Sequence, residues 1–274
     1  MNKRVAFLGP SGTFSEEAAK RYDQLATLQP FPTIQGVALA VTSGITDEGI
    51  IPIENSLEGS VNDTLYILIQ QPKLFIRQEL VIDIVHCLLV IPGTTVSDIE
   101  LIYSHPQAIA QCRGFIERCF PNAQMIASLS TSAAVLDMKQ SESPAAAIAP
   151  NRSASLHQVQ ILAEGIQDID TNVTRFVVLS TSDNAVTGND KTSLCFSFNQ
   201  DKPGLLHEVM GEFVQRNINM AKVESRPSKQ FLGDYIFLID IEGHRTDPII
   251  KDALSQLDKK TSMLRVFGSY PKWK

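Results

Sequence analysis

Residues 5–24 read VAFLGPSGTFSEEAAKRYDQ. A short apolar run meets a Gly/Pro/Ser turn and then an amphipathic stretch, which is the succession strand, turn, helix. The same succession recurs: GIIPIEN (49–55) leads into VNDTLYILIQQ (61–71), LIYS (101–104) into QAIAQCRGFIERCF (107–120), and AAAIAP (145–150) into SASLHQ (153–158). Strands alternating with helix-length amphipathic segments build βαβ units around a largely parallel sheet. The segment LVIDIVHCLLVI (80–91) is long enough to carry the chain from one lobe into another, with residues 162–179 bringing it back.

A polar, turn-rich break follows at STSDNAVTGNDKTS, residues 180–193. Beyond it the pattern is compact: LCFSFN (strand), PGLLHEVMGEFVQRN (helix), INMAKVESRP and GDYIFLIDIEG (strands), DPIIKDALSQLDKK (helix), SMLRVFGSYP (strand). This β-α-β-β-α-β order over about 80 residues is the ferredoxin-like split βαβ module. The expected domains are therefore 1–181, with a second lobe at about 79–160, a linker at 182–193, and a module at 194–274.

The 274 residues are 43% hydrophobic and 20% charged, an ordinary globular composition. A net charge of -6 argues against nucleic acid or an anionic membrane as the main partner. A small anion remains compatible with it, because local cations and backbone amides suffice to hold one. MNKRVAFLGPSG enters a strand with no signal-peptide core before it, and no run reaches the ~18 apolar residues of a membrane helix. A cytoplasmic protein is expected. The four cysteines, Cys87, Cys112, Cys119 and Cys195, form no C-x-x-C pair and read as reduced, buried thiols rather than metal ligands.

Candidate chemistry gathers where strands end. Thr13 and Glu16 have capping-box spacing, as do Ser104 and Gln107, with Pro106 in the first turn, and Ser60 and Asp63. Ser130, Thr131 and Ser132 offer hydroxyls at another helix start. Each alone is no more than a good N-cap, but in an open α/β sheet the strand C-termini share one edge, where ligands bind. GPSGTFS lacks the Gly-Lys-Ser/Thr ending of a phosphate loop and no G-x-G-x-x-G occurs, so a carboxylate suits the edge better than a nucleotide.

Residues 172–179, NVTRFVVL, place Thr174 and Arg175 at the mouth of an apolar strand. Arg175 there either snorkels to water or meets an anion. His105, at a helix start, is a general base or a structural residue; His86 and His157 read as structural. Glu54 and Glu58 flank Asn55 and Ser56, a spacing that also suits a solvated turn.

The segments GPSGTFSEEAA, IPIENSLEGSV, SHPQAIAQC and NVTRFVVL, in that order, resemble the motif series of bacterial prephenate dehydratases. PGLLHEV and INMAKVESRP resemble the phenylalanine-sensing ACT domain that follows it in that family. The likeness spans nearly the whole chain. It implies a two-lobed catalytic region similar to periplasmic binding proteins, conversion of prephenate to phenylpyruvate, water and carbon dioxide in phenylalanine biosynthesis, no cofactor and no metal. It further implies homodimers or homotetramers inhibited by phenylalanine. With Met1 so close to the first strand, the chorismate mutase fused to some relatives is expected to be absent.

The resemblance assigns Thr174 as the hydroxyl that assists departure of hydroxide, and places Arg175, Ser11, Thr13, Asn55, Ser56, Glu58, Ser104, Gln107, Ser130, Thr131 and Ser132 around the substrate. Arg175 is expected at the pyruvyl carboxylate, since a tight grip on the ring carboxylate would stabilise the ground state against its loss. Phenylalanine is expected between Gly204, Leu205 and Leu206 of one subunit and Glu224, Ser225, Arg226 and Pro227 of another, with Asn219 a further contact. Leu205 departs from the Ala usual in the family, a change expected to narrow that pocket and so to bear on the sensitivity to phenylalanine. Two rival readings are a dehydratase acting on arogenate and a non-catalytic amino-acid sensor.

Overall fold

The computed structural model describes residues 2–199, 202–228 and 234–273. In chain order the first elements are β1 (Arg4–Leu8), α1 (Phe14–Tyr22), β2 (Thr27–Phe31), α2 (Ile34–Thr42), β3 (Glu48–Asn55), β4 (Gly59–Ser60), α3 (Asn62–Gln70) and β5 (Phe75–Asp83). Next come β6 (Cys87–Val90), β7 (Leu101–Ser104), α4 (Pro106–Gln111), α5 (Arg113–Cys119), β8 (Gln124–Ala127), α6 (Thr131–Lys139), β9 (Ala145–Ala149), α7 (Asn151–His157) and β10 (Gln160–Glu164). The chain closes with β11 (Val173–Ser180), β12 (Asp190–Ser197), α8 (Leu205–Gln215), β13 (Met220–Pro227), β14 (Tyr235–Glu242), α9 (Pro248–Lys260) and β15 (Met263–Pro271). Residues divide into two compact units, 1–37, 50–61 and 80–176 in one, and 38–49, 62–79 and 177–274 in the other.

A six-stranded sheet has the order β2-β1-β3-β11-β5, with β4 on β3. Residues 87–164 build a five-stranded sheet of order β10-β6-β9-β7-β8. Its alternation shows why the sequence reads as continuous apolar runs: Leu88, Val90, Ala146 and Ile148 face Cys112 and Ile116 on one side. Cys87, Leu89, Ala147 and Ala149 face Val135 and Met138 of α6 on the other. A strand covered on both faces has no polar alternation to display. The expected largely parallel sheet holds for β7 with β8 and β9 and for β1 with β2; β6, however, is antiparallel to both β9 and β10.

In the second unit β12–β15 form an antiparallel sheet of order β13-β14-β12-β15, the ferredoxin-like arrangement that the element order predicts. Its core joins Leu194, Phe196, Ile239 and Ile241 to Val209 and Phe213 of α8 and Ile250 and Leu257 of α9. Residues 62–79 are held by the same module. Arg265 donates to the carbonyls of Ile69 and Gln71 at the end of α3, and Lys191 pairs with Glu79 at 2.9 Å. A Cβ on Gly268 would stand 2.2 Å from the Ile76 carbonyl oxygen, so only glycine permits that approach.

Local differences from the sequence reading have plain causes. The run 80–91 is interrupted, β5 ending at Asp83 and β6 starting at Cys87. β12 starts at Asp190, four residues before the expected strand, because Asp190 and Thr192 are buried with their polar groups bonded: Asp190 to Thr187 and Gly188, Thr192 to Gly243. Pro30 and the polar surroundings of β2 hide that strand from a periodicity argument. Met1 and Gly233, the first residue of the expected strand GDYIFLIDIEG, lie outside the described residues. Among the described residues no helix is long and apolar enough to cross a membrane.

Candidate active site

A cavity of about 130 Å³ is lined by Asn55, His86, His105, Gln107, Gln111, Thr131 and Thr174, with Phe14, Ile84 and Ala108 supplying apolar wall. A larger cavity of about 710 Å³ lies elsewhere, among Ile69, Gln70 and strands β12, β14 and β15. Size does not decide between them. Both have amides and hydroxyls in their walls, but of the two only the smaller adds imidazoles, at the ends of several elements, the arrangement expected of a site for a small polar ligand.

Thr174 is 8% exposed. Its Oγ1 accepts from Asn55 Nδ2 at 2.9 Å. Asn55 is fully used: Nδ2 also donates to Asn172 Oδ1 at 2.8 Å and reaches the Val173 carbonyl at 3.1 Å, while Oδ1 accepts from the amides of Leu57 and Glu58, both at 3.0 Å. Its bonding capacity is thereby exhausted within the protein. The donation leaves the Thr174 hydroxyl proton free to turn away from Asn55, and no acceptor for it occurs among the described residues.

Arg175 is on the other side of the strand. Successive residues of a strand point to opposite faces, and with Thr174 lining the cavity, Arg175 places Nη2 3.1 Å from Glu54 Oε2. Glu54 neighbours Asn55 in β3 with the same inversion. The structure brings Thr174 and Asn55 to one face, and Arg175 and Glu54 to the other.

The hydroxyl-rich turns divide between cavity and scaffold. Ser132 Oγ donates to the Ser11 carbonyl at 2.5 Å and Ser153 Oγ to the Gly12 carbonyl at 2.8 Å. The two hydroxyls occupy the space beside Gly12, whose φ of +88° suits glycine. Thr13 turns its hydroxyl back to the carbonyl of Pro10 at 2.9 Å, and Glu16 accepts from Gly12 N at 2.6 Å and Arg152 at 2.9 Å. The expected Thr13–Glu16 capping box is thus replaced by a clamp on the turn.

Ser104 is fully buried and spends its hydroxyl on the Ile148 carbonyl at 2.7 Å, tying β7 to β9; His105, not Ser104, is the N-cap of α4. Ser130 caps α6 through Ala133 N at 3.0 Å, which points Thr131 into the cavity. Ser56 accepts from Val173 N at 3.0 Å, and Glu58 is exposed.

Gln111 and His86 line the cavity without having been anticipated there. Gln107 and Gln111 are four apart on α4 and so share a face, a signal present in SHPQAIAQC. His86 follows the break after β5. Its Nε2 lies 2.8 Å from Gln111 Oε1, its ring meets Phe14 edge-on at 5.7 Å, and burial holds its pKa below the ordinary value against the opposing pull of Gln111. A neutral imidazole results.

Burial likewise pushes the thiols of Cys87, Cys112 and Cys195 up, to about 11, 12 and 12. Cys119, expected buried, is exposed.

In the second unit Gly204 is the N-cap of α8 at φ +94°, and Leu205 and Leu206 open the helix. Glu224, Ser225, Arg226 and Pro227 end β13. Arg226 donates to Asn62 Oδ1 and lies 5.7 Å from the Tyr66 ring centroid, while its Nη1 is buried with no partner. The Asn219 carbonyl accepts from Glu242 N at 3.0 Å.

Comparison with known proteins adds an independent line. A family model described as prephenate dehydratase matches residues 5–184, and an ACT domain model matches residues 196–259. The bifunctional chorismate mutase/prephenate dehydratase of Aquifex aeolicus is 39% identical over 270 residues, covering 98% of this chain and 74% of its own. The prephenate dehydratase of Methanocaldococcus jannaschii is 35% identical over 278 residues, covering 99% of each. A solved prephenate dehydratase from Arthrobacter aurescens, in complex with L-Phe, superposes with a TM-score of 0.91 at 36% identity, covering 98% of this chain and 90% of that one.

Proposed function

The chain belongs to the prephenate dehydratase family, and we propose that Thr174 is the hydroxyl donor with which it converts prephenate to phenylpyruvate, water and carbon dioxide. The observation that carries the assignment is the Asn55 bond. By occupying a lone pair of Thr174 Oγ1, Asn55 turns the hydroxyl proton outward, where a departing oxygen can accept it.

The chemistry asks for little else. The electrons of the ring–carboxylate bond pass into the ring as carbon dioxide leaves, and the ring expels its hydroxyl, which takes up a proton and departs as water. Aromatisation drives the step. A threonine hydroxyl is too weak an acid to protonate the leaving group in the ground state, so its contribution is a hydrogen bond that strengthens as negative charge grows on that oxygen. Assistance of this kind is worth about 10²–10⁴-fold.

Gln107, Gln111 and the N-terminal end of α6 at Thr131 offer donors for the substrate carboxylates without a full positive charge. Arg175, paired with Glu54, reaches a carboxylate only if that pair opens. Ser11, Thr13, Ser104, Ser130 and Ser132 act by holding the turns, and Ser56 and Glu58 by shaping the loop that carries Asn55.

The catalytic region is assigned to 1–181 with its second lobe at about 79–160, the linker to 182–193 and the regulatory module to 194–274. L-phenylalanine is the inhibitor, bound by Gly204, Leu205 and Leu206 with Asn219, Glu224, Ser225, Arg226 and Pro227 of a second subunit in a homodimer or homotetramer. The buried, unpartnered Nη1 of Arg226 supports a carboxylate there. The enzyme is assigned to the cytoplasm. The test is phenylpyruvate formation from prephenate, with and without phenylalanine, arogenate being run alongside. Turnover of prephenate slowed by phenylalanine is expected, and absence of phenylpyruvate overturns the reading.

A further inference from the structure

Thr174 is one end of a chain of side-chain hydrogen bonds whose direction is fixed elsewhere. The amides of Leu57 and Glu58 can only donate, so Asn55 must turn Oδ1 to them and Nδ2 to Asn172. Asn172 therefore turns Oδ1 to Asn55 and Nδ2 to Gln111, whose Oε1 is 3.2 Å away. Gln111 Oε1 can only accept, so the His86 nitrogen 2.8 Å from it carries a proton. In the neutral ring Nδ1 is then a bare acceptor, in keeping with its lack of a donor inside the protein.

The consequence falls on Gln111. With its carbonyl committed to His86 and Asn172, its NH₂ has no partner among the described residues, and Gln111 lines the cavity. Asn172, only 1% exposed and outside the lining, is among the described residues the one bridge between Asn55 and Gln111. We propose that Asn172 is a positioning residue that makes Gln111 present its NH₂, rather than its carbonyl, to the anionic substrate. The proposal rests on the dehydratase reading only for the identity of that anion.

Asn172→Asp separates this role from a merely structural one. The ionised side chain still accepts from Asn55 but cannot donate to Gln111, so Gln111 turns over, its carbonyl faces the substrate, and His86 shifts its proton to Nδ1. Protonated, the new carboxyl donates to Gln111 again and restores the native direction. The other titratable groups of this wall, His86, His105 and the Glu54–Arg175 pair, are common to both proteins, so the difference between their pH profiles isolates the new carboxyl.

The expected result is kcat/KM for prephenate at least ~10-fold below wild type at pH 8, recovering as the pH falls, with His86 changing from the Nε2–H to the Nδ1–H tautomer in its ring nitrogen resonances at pH 8. Wild-type kcat/KM at pH 8, a loss independent of pH, or an unchanged tautomer overturns the proposal. Should Asn172→Asp not fold, Gln111→Glu gives the second test: it accepts from both neighbours but has no NH₂, so KM rises and His86 stays Nε2–H. An unchanged KM there overturns the proposal equally. If the wild-type protein formed no phenylpyruvate, the functional reading would fail, and the tautomer measurement would still decide the chain.

Discussion

Replacing Thr174 with valine removes one hydroxyl and keeps the shape of the side chain. The structure sets the small size of the structural loss, and the role proposed for Thr174 sets the size of the catalytic one. Asn55 Nδ2 has two protons and three acceptors, at 2.8, 2.9 and 3.1 Å. Losing the Thr174 oxygen leaves Asn172 Oδ1 and the Val173 carbonyl, enough for both protons. No buried donor is stranded, so stability should change by no more than about 1 kcal/mol, the net worth of one hydrogen bond. On the role proposed for Thr174, catalysis loses the hydroxyl donor to the leaving oxygen, about 10²–10⁴ in kcat, or about 2.7–5.4 kcal/mol of barrier at 1.36 kcal/mol per tenfold. KM should move little, because the bond strengthens only as the ring hydroxyl leaves. Saturation kinetics of phenylpyruvate formation, beside a urea unfolding curve, measure both quantities. A Thr174→Val enzyme with kcat within about threefold of wild type would refute the acid-assistance argument, and Thr174→Ser should retain most of the rate.

Other expectations test the remaining structure. Gly268→Ala sets a methyl 2.2 Å from the Ile76 carbonyl and 2.9 Å from its nitrogen, backbone on both sides, and should destabilise by about 1–3 kcal/mol in a thermal or urea melt; an unchanged midpoint would mean that β15 moves freely off residue 76. His86 and His157 both have pKa values lowered by burial, aided at His157 by Lys139. The unfolded chain therefore takes up protons first, and stability should fall as the pH drops below the ordinary histidine value near 6.5. Urea unfolding at pH 7.5 and 5.5 checks the sign, and equal stability contradicts it. Arg226→Ala should raise the phenylalanine needed for half-inhibition at least ~10-fold in the prephenate assay, whereas an unshifted inhibition curve would remove Arg226 from the effector site.

The C-terminal module was legible because its six elements each follow one period: LCFSFN alternates, PGLLHEVMGEFVQRN repeats at helical spacing, and they close on one core at Phe196, Phe213 and Ile239. Residues 87–164 were legible as βαβ units but not in direction. Apolar runs such as Cys87–Val90 and Ala145–Ala149 are buried on both faces, and nothing in them distinguishes parallel from antiparallel pairing. The hydroxyl-rich strand ends were found in the right places, yet their partners were not. Ser104 and Ile148 are 44 residues apart, and Ser132 and Ser11 are 121 apart, so no local spacing rule connects them. Gln111 was recoverable from its four-residue offset to Gln107; His86 was not, because a histidine within LVIDIVHCLLVI looks like one more core position until β5 is seen to stop at Asp83.

The pair Thr174–Arg175 shows why adjacency in sequence is a poor guide to shared function on a strand. A ligand reached by Thr174 lies on the face that Arg175 leaves, and the cation already has a carboxylate in Glu54. The cavity that remains is lined by amides and hydroxyls and by the starts of α4 and α6, which suits this reaction. A guanidinium gripping the ring carboxylate would hold charge where charge must disappear, since that group leaves as neutral carbon dioxide. In the proposed mechanism amide donors fixed by their neighbours orient the same anion at a lower ground-state cost, and the hydrogen bond kept for the transition state is the one proposed for Thr174. Arg175 and Glu54 serve this from behind: paired across β11 and β3, they hold together the two strands that present Thr174 and Asn55 to each other.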